Sequence, residues 1–93
     1  MAVAIMVEVP GVTAAQYDSV MHEVFPGGHL PHGLMFHVAG PAEGVWRVVD
    51  VWDAQATFDS FVQATLGPAM HKAGIQQQPT IVSWPVHNTA HSH

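Results

Sequence analysis

The chain has 93 residues, 48% of them hydrophobic and 10% charged, and carries a formal net charge of -5 with its eight histidines neutral. This length fits one domain of the usual size, roughly 50 to 250 residues, and Arg47 and Lys72, the only basic residues, cannot form the positive face that a phosphate backbone requires, so nucleic acid is not an expected partner. Cysteine is absent, which excludes disulfides, thiolate metal sites and cysteine nucleophiles and leaves any metal chemistry to histidine and carboxylate.

Ala2 to Val9 is almost entirely small or β-branched and apolar and is closed by Pro10-Gly11, the pattern of a strand inside a sheet. The same segment lacks a basic stretch and a small-residue cleavage site, so no signal peptide is expected. No apolar run approaches the roughly 20 residues that span a bilayer. A cytoplasmic protein without a membrane partner is the expectation. Thr13 and Gln16 have capping-box spacing, and Tyr17, Val20, Met21 and Val24 recur at helical intervals, which predicts an amphipathic helix ending near Phe25.

Pro26, Gly27, Gly28, Pro31 and Gly33 mark a loop. After it Leu34, Phe36 and Val38 alternate with Met35, His37 and Ala39, which predicts a half-buried strand with His37 and Met35 on one face. Gly40 to Gly44 has hairpin-turn composition, and Val45 to Trp52 follows as a strand pairing antiparallel with it. Asp53 is placed to cap a second helix carrying Phe58, Phe61, Val62 and Thr65; Gly67-Pro68 should interrupt it, leaving Pro68 to Ala73 as a short helix stopped by Gly74. Thr80 to Val86 reads as the last strand. The expected division is a domain over 1-88 and a histidine-containing flexible tail over 89-93.

The order is β-α-β-β-α-β, an α+β ferredoxin-like arrangement with a four-stranded antiparallel sheet. Together with the Val51-Trp52-Asp53 junction running into the helix that carries Phe58 and Phe61, it resembles the dimeric α+β barrel superfamily and, in layout, its antibiotic-biosynthesis monooxygenase-like members. The resemblance covers nearly the whole chain. It implies a homodimer in which two sheets meet face to face with the helices outside, and an activity drawn from cofactor-free monooxygenases, cyclases and isomerases, or haem-degrading enzymes. The physics agrees: few charges and strands apolar on both sides leave one sheet face that water covers badly, so two copies should shield each other and enclose a space.

Within that frame His37 and Asp50 are the candidate catalytic residues. Asp50 shares a strand face with Trp46, Val48 and Trp52, where a lone carboxylate would be costly. A five-residue turn sets His37 opposite Arg47 or Val48, and the second register puts His37 and Asp50 within reach on one face. An aspartate that orients an imidazole makes a general base suited to an acidic phenol or enol. The competing readings are a core histidine satisfied by one hydrogen bond and a structural contact between Asp50 and Arg47.

Met35, Trp46, Trp52 and Trp84 are candidates for an apolar pocket that takes a small, flat, aromatic or polyketide-like ligand, although they could equally fill a core or an interface. His87, ending the last strand, is a candidate for the pocket rim. His71 stands at the distance from Trp52 at which haem-degrading relatives place their haem ligand, so haem is the alternative cofactor where otherwise none is expected. Met6, Glu8 and Phe61 stand where that branch places an asparagine and a tryptophan. A third reading is a non-enzymatic ligand-binding or interaction module. No metal site is expected from His29 and His32 or from the terminal His91 and His93, because neither group is held in a fixed geometry.

Overall fold

The computed structural model describes residues 1-90. Strand β1 (Val3–Pro10) leads through Gly11, whose φ of +69° suits glycine, into helix α1 (Ala14–Val24). The Thr13 hydroxyl accepts from the Gln16 backbone N–H while the Gln16 side chain accepts from the Thr13 N–H, the expected reciprocal cap. A 3₁₀ turn at Pro26–Gly28 ends this half of the chain.

Strands β2 (Leu34–Ala42) and β3 (Val45–Trp52) form a hairpin whose turn is only Glu43-Gly44, with Ala42 paired to Val45. This is tighter than the turn expected at Gly40 to Gly44. Because a shorter turn advances the register, His37 lies opposite Asp50 rather than opposite Arg47 or Val48. A second departure is a β-bulge between Leu34 and Phe36. The bulge inserts Met35 as an extra residue, so that Leu34, paired with Trp52, is buried on the same side as His37, while Met35 is 60% exposed.

Helix α2 (Gln55–Phe61) starts from Ala54 with no side-chain cap, so Asp53 does not cap it; the Asp53 backbone N–H instead donates to the Gly33 carbonyl at 2.8 Å. Nor does Gly67-Pro68 break the helical path. A π turn at Val62–Leu66 joins α2 to α3 (Gly67–Lys72), with helical backbone angles at Leu66 and Gly67. Pro68 has no N–H for the preceding turn and its ring crowds the carbonyl four residues back, and a widened turn accommodates both. Gly67 belongs here because a Cβ would lie 3.0 Å from the Val62 carbonyl oxygen. Gly74, at φ +77°, ends α3 as expected.

The last strand, β4 (Thr80–Pro85), pairs with β1, giving an antiparallel sheet of order β2-β3-β1-β4. The sheet is the four-stranded antiparallel one expected from the element order. Val3, Ile5, Val7 and Val9 of β1 and Trp46, Val48, Asp50 and Trp52 of β3 face the helices, in register as Val3–Trp52, Ile5–Asp50, Val7–Val48 and Val9–Trp46. Two buried clusters form there. One contains Ile5, Leu34, Trp52 and Phe58, and the other Val9, Val20, Val24, Ala69 and Ile75. Val7, Phe25 and Phe61 pack against both, so the space between the clusters is roofed by aromatic rings.

Ala4, Met6 and Glu8, Val49 and Val51, and Val82 and Trp84 lie on the opposite face. Phe36, Val38, Val82 and Trp84 there are each about half exposed (48%, 50%, 46% and 46%). Arg47 and Glu8 pair across that face, Nε to Oε2 at 2.7 Å, which rules out the alternative contact of Arg47 with Asp50. Among the described residues no helix is long and apolar enough to cross a membrane. The expected tail over 89-93 includes His91 and His93, which lie outside the described residues.

Candidate active site

Between the sheet and the helices lies a cavity of about 80 Å³, partly open to the surface. Val7, Val9 and Val48 form its floor, Val20, Met21 and Leu66 are among its upper wall, and its polar groups come from Tyr17, His37, Trp46 and Asp50. The cavity therefore sits within one subunit, beneath its own helices. It is not the enclosure between two sheets that the dimer argument anticipates, because the apolar residues that line it come from α1, the π turn and α3 as well as from the strands.

Each polar side chain is delivered by a regular element. The tight β2-β3 turn sets His37 directly across from Asp50, and Nδ1 of His37 lies 2.6 Å from Oδ1 of Asp50. On the other side of the ring, Nε2 lies 2.6 Å from the hydroxyl of Tyr17, which α1 brings over the sheet in its first turn. The second carboxylate oxygen of Asp50 accepts from the indole N–H of fully buried Trp52 at 3.2 Å. The four residues form one continuous line, Trp52–Asp50–His37–Tyr17, with the His37 and Asp50 side chains only 13% and 10% exposed.

Proton positions follow from this line. Burial lifts the Tyr17 hydroxyl above its ordinary value of 10.0, and the charges of Asp50 and Asp18 push it the same way, so at neutral pH Tyr17 is a phenol and donates. When Tyr17 donates to His37, Nε2 accepts and the ring proton lies on Nδ1, donated to Asp50. Phe25 meets the His37 ring edge-on with centroids 5.0 Å apart, and the ring of Trp46 lies 5.0 Å from that of Tyr17. These contacts hold the imidazole and the phenol in place from the sides. A proton arriving at the Tyr17 oxygen could pass to His37 while Asp50 balances the charge.

No family model matches the chain, and no curated protein matches it. Solved structures do. A protein of unknown function from Nitrosomonas europaea superposes with a TM-score of 0.72 at 15% identity, covering 99% of this chain and 95% of the other. A variant of SnoaB, a cofactor-independent oxygenase from Streptomyces nogalater, gives 0.66 at 13% identity with 95% of each chain covered. A candidate antibiotic biosynthesis monooxygenase from Deinococcus radiodurans gives 0.64 at 8% identity over 100% of this chain and 99% of the other. The chain has the ferredoxin-like α+β fold that these proteins share.

Within this fold the other residues singled out in the sequence scatter. Trp46 lines the cavity beside Tyr17. Trp52 does not line it; with no exposed surface, it lies in the core and supports Asp50 from behind. Met35, displaced by the bulge, and Trp84, opposite Ala4, are both exposed and absent from the cavity wall. His87 is exposed beyond β4 and takes no part in the wall either. His71 is exposed in the last turn of α3, outside the cavity wall, and the cavity's volume is far below what a porphyrin needs, so the residues present do not fit haem.

Tyr17 is the site residue that sequence reasoning passed over. Its position in the apolar stripe of α1 marked it as core, and the stripe does face the sheet. A hydroxyl on the helix face directed at the sheet that carries the histidine was the available signal.

Proposed function

We propose that the protein is an enzyme of the cofactor-free monooxygenase type, which removes a proton from the hydroxyl of a small aromatic or enolic molecule held in the cavity. The observation that carries this reading is the Tyr17–His37–Asp50 hydrogen-bonded line, with 2.6 Å at both bonds, ending in an otherwise apolar cavity. The substrate hydroxyl donates to the Tyr17 oxygen, the Tyr17 proton moves to Nε2 of His37, and Asp50 stabilises the imidazolium. A positioned base of this kind is worth roughly 10² to 10⁴ in rate. The anion left behind is electron-rich at carbon and open to attack on dioxygen, and the apolar wall keeps water from quenching it. The fold shared with SnoaB, named a cofactor-independent oxygenase, supports this choice among proton-transfer reactions.

The acting unit in this proposal is a homodimer. Four large apolar side chains about half exposed on one sheet face favour a second copy as the cover, since isolated subunits seldom leave such a patch to water. Oxygen uptake measured across a panel of small phenols and enolisable diketones tests the activity. Replacing His37 by alanine should lower uptake by roughly 10² to 10⁴ with the dimer still folded; unchanged uptake would remove the proposal, and tight binding without turnover would point to a ligand-binding module.

A further inference from the structure

Arg47 and Lys72 are the only arginine and lysine in the chain, and neither serves the cavity. Arg47 pairs with Glu8 across the opposite face of the sheet, Nη2 to Oε2 at 2.6 Å, and Lys72 pairs with Glu23 at the surface, Nζ to Oε1 at 2.6 Å. The acidic side chain that does line the cavity is Asp50, from β3, while α1 and β2 bring the polar atoms of Tyr17 and His37. From β1, α2, the π turn and α3 come only apolar side chains, among them Val7, Phe61, Leu66 and Met70. Burial raises the Tyr17 hydroxyl above its ordinary value of 10.0, and the charges of Asp50 and Asp18 act in the same direction. Both causes oppose any further anion at that end of the proton line.

We infer that the cavity selects by charge: it takes its substrate as an uncharged molecule and excludes anions, carboxylates and already ionised phenols alike. The inference rests on the proton-removal reading and narrows it. An anion entering from water would give up its hydration beside a carboxylate and find no fixed cation in return. A neutral hydroxyl compound meets neither penalty. When its O–H bond breaks, the proton passes to the Tyr17 oxygen and the Tyr17 proton to Nε2 of His37, while the electron pair stays on the substrate oxygen. The imidazolium forms in the same step as the anion, so the cavity holds one net negative charge before and after. A substrate that arrives ionised would give it two. The cation that stabilises the product is therefore made by the reaction, from the substrate's own proton. The cavity's volume sets the scale of the molecule. At about 80 Å³ it is smaller than the ~150 Å³ engineered cavity known to admit benzene, so a single ring fits with part of it in the open mouth.

The test titrates the full chain calorimetrically at about pH 8, where exposed histidines are mostly neutral. Its first pair is ortho-hydroxyacetophenone and salicylate, which share a ring and a hydroxyl and differ in a methyl ketone against a carboxylate of nearly the same size. Salicylate should bind roughly a hundredfold more weakly, and a gap below about tenfold overturns the inference. The second pair, phenol and the more acidic para-nitrophenol, is followed from neutral to alkaline pH. The affinity of each should fall as that compound itself ionises, earlier for para-nitrophenol; a fall at one shared pH, or none for para-nitrophenol, overturns the inference as well. Oxygen uptake separates this outcome from failure of the underlying reading. Uptake that depends on His37, with salicylate bound as tightly as the ketone, ends charge selection alone. Neutral compounds that bind without uptake, across the whole panel of phenols and diketones, end the proton-removal reading, and binding of none of the four compounds ends both.

Discussion

The indole of Trp52 donates to Oδ2 of Asp50 at 3.2 Å from two residues along the same strand face, leaving Oδ1 for His37. A carboxylate at a largely apolar boundary is thereby given two donors, one inert and one able to carry a proton. Replacing Asp50 by asparagine should keep the shape but remove the charge that stabilises a protonated His37. Turnover is expected to fall by roughly 10² to 10⁴ with the fold intact. Asp50→Ala should in addition cost about 1 to 3 kcal/mol of stability, by orphaning the Trp52 N–H, as read by urea denaturation.

Tyr17 and His37 act in series, so their losses should not add. Tyr17→Phe and His37→Ala are each expected to reduce turnover by a similar factor, and the double variant to be little worse than the poorer single one. Steady-state rates of the three variants on one substrate check this. Additive losses would mean that the two side chains serve separate steps.

The raised Tyr17 value has a consequence at alkaline pH. A phenol that holds its proton more tightly when folded contributes stability that is present in full below the unfolded value of 10.0. That contribution is lost as pH rises from there through the higher folded value. Stability should therefore decline above a pH of about 10 more steeply in the parent protein than in Tyr17→Phe, as denaturation curves at several alkaline pH values would show.

Much of this arrangement was legible beforehand. The helix cap at Thr13 and the element order follow from residue types and periodicity, because each depends on neighbours in sequence; for Asp50 the residue types showed only that a carboxylate among apolar side chains needs a partner, with His37 and Arg47 both open. The register did not follow, since it depends on where a hairpin turns, and Pro41 and Ala42 read as turn although they are paired in the strands. Met35 was misplaced because a bulge leaves no mark in an alternating pattern. Trp84 and Trp46 looked alike as aromatic strand residues, and only the pairing of β4 with β1 shows that they lie on opposite faces of the sheet.

The exposed sheet face yields a separate test. A charge at Val38, which is 50% exposed there, should be harmless to an isolated subunit and costly to a pair, because it would be buried without a partner. Val38→Asp is expected to sediment as a monomer and the parent protein as a dimer at micromolar concentration. A monomeric parent would end the homodimer proposal without touching the cavity.

Gly33 offers a check on the frame itself. Its φ is +88°, and a Cβ there would lie 2.4 Å from the Thr57 methyl and 2.9 Å from an Asp53 oxygen. Gly33→Ala should destabilise the protein by about 2 kcal/mol or more, measured as a lowered melting midpoint. It touches no group of the proton line, so the specific activity of the folded fraction should be retained.

The bulge at Met35 couples two demands that plain strand geometry would set against each other. Leu34 and His37 are three positions apart, an odd interval that sends side chains to opposite sides of an uninterrupted strand, yet one must seal the interior and the other must reach Asp50. Deleting Met35 would shorten that interval to two and leave both side chains on one wall of a regular strand, so it is the bulge, by expelling the surplus methionine to the surface, that lets Leu34 and His37 share a face.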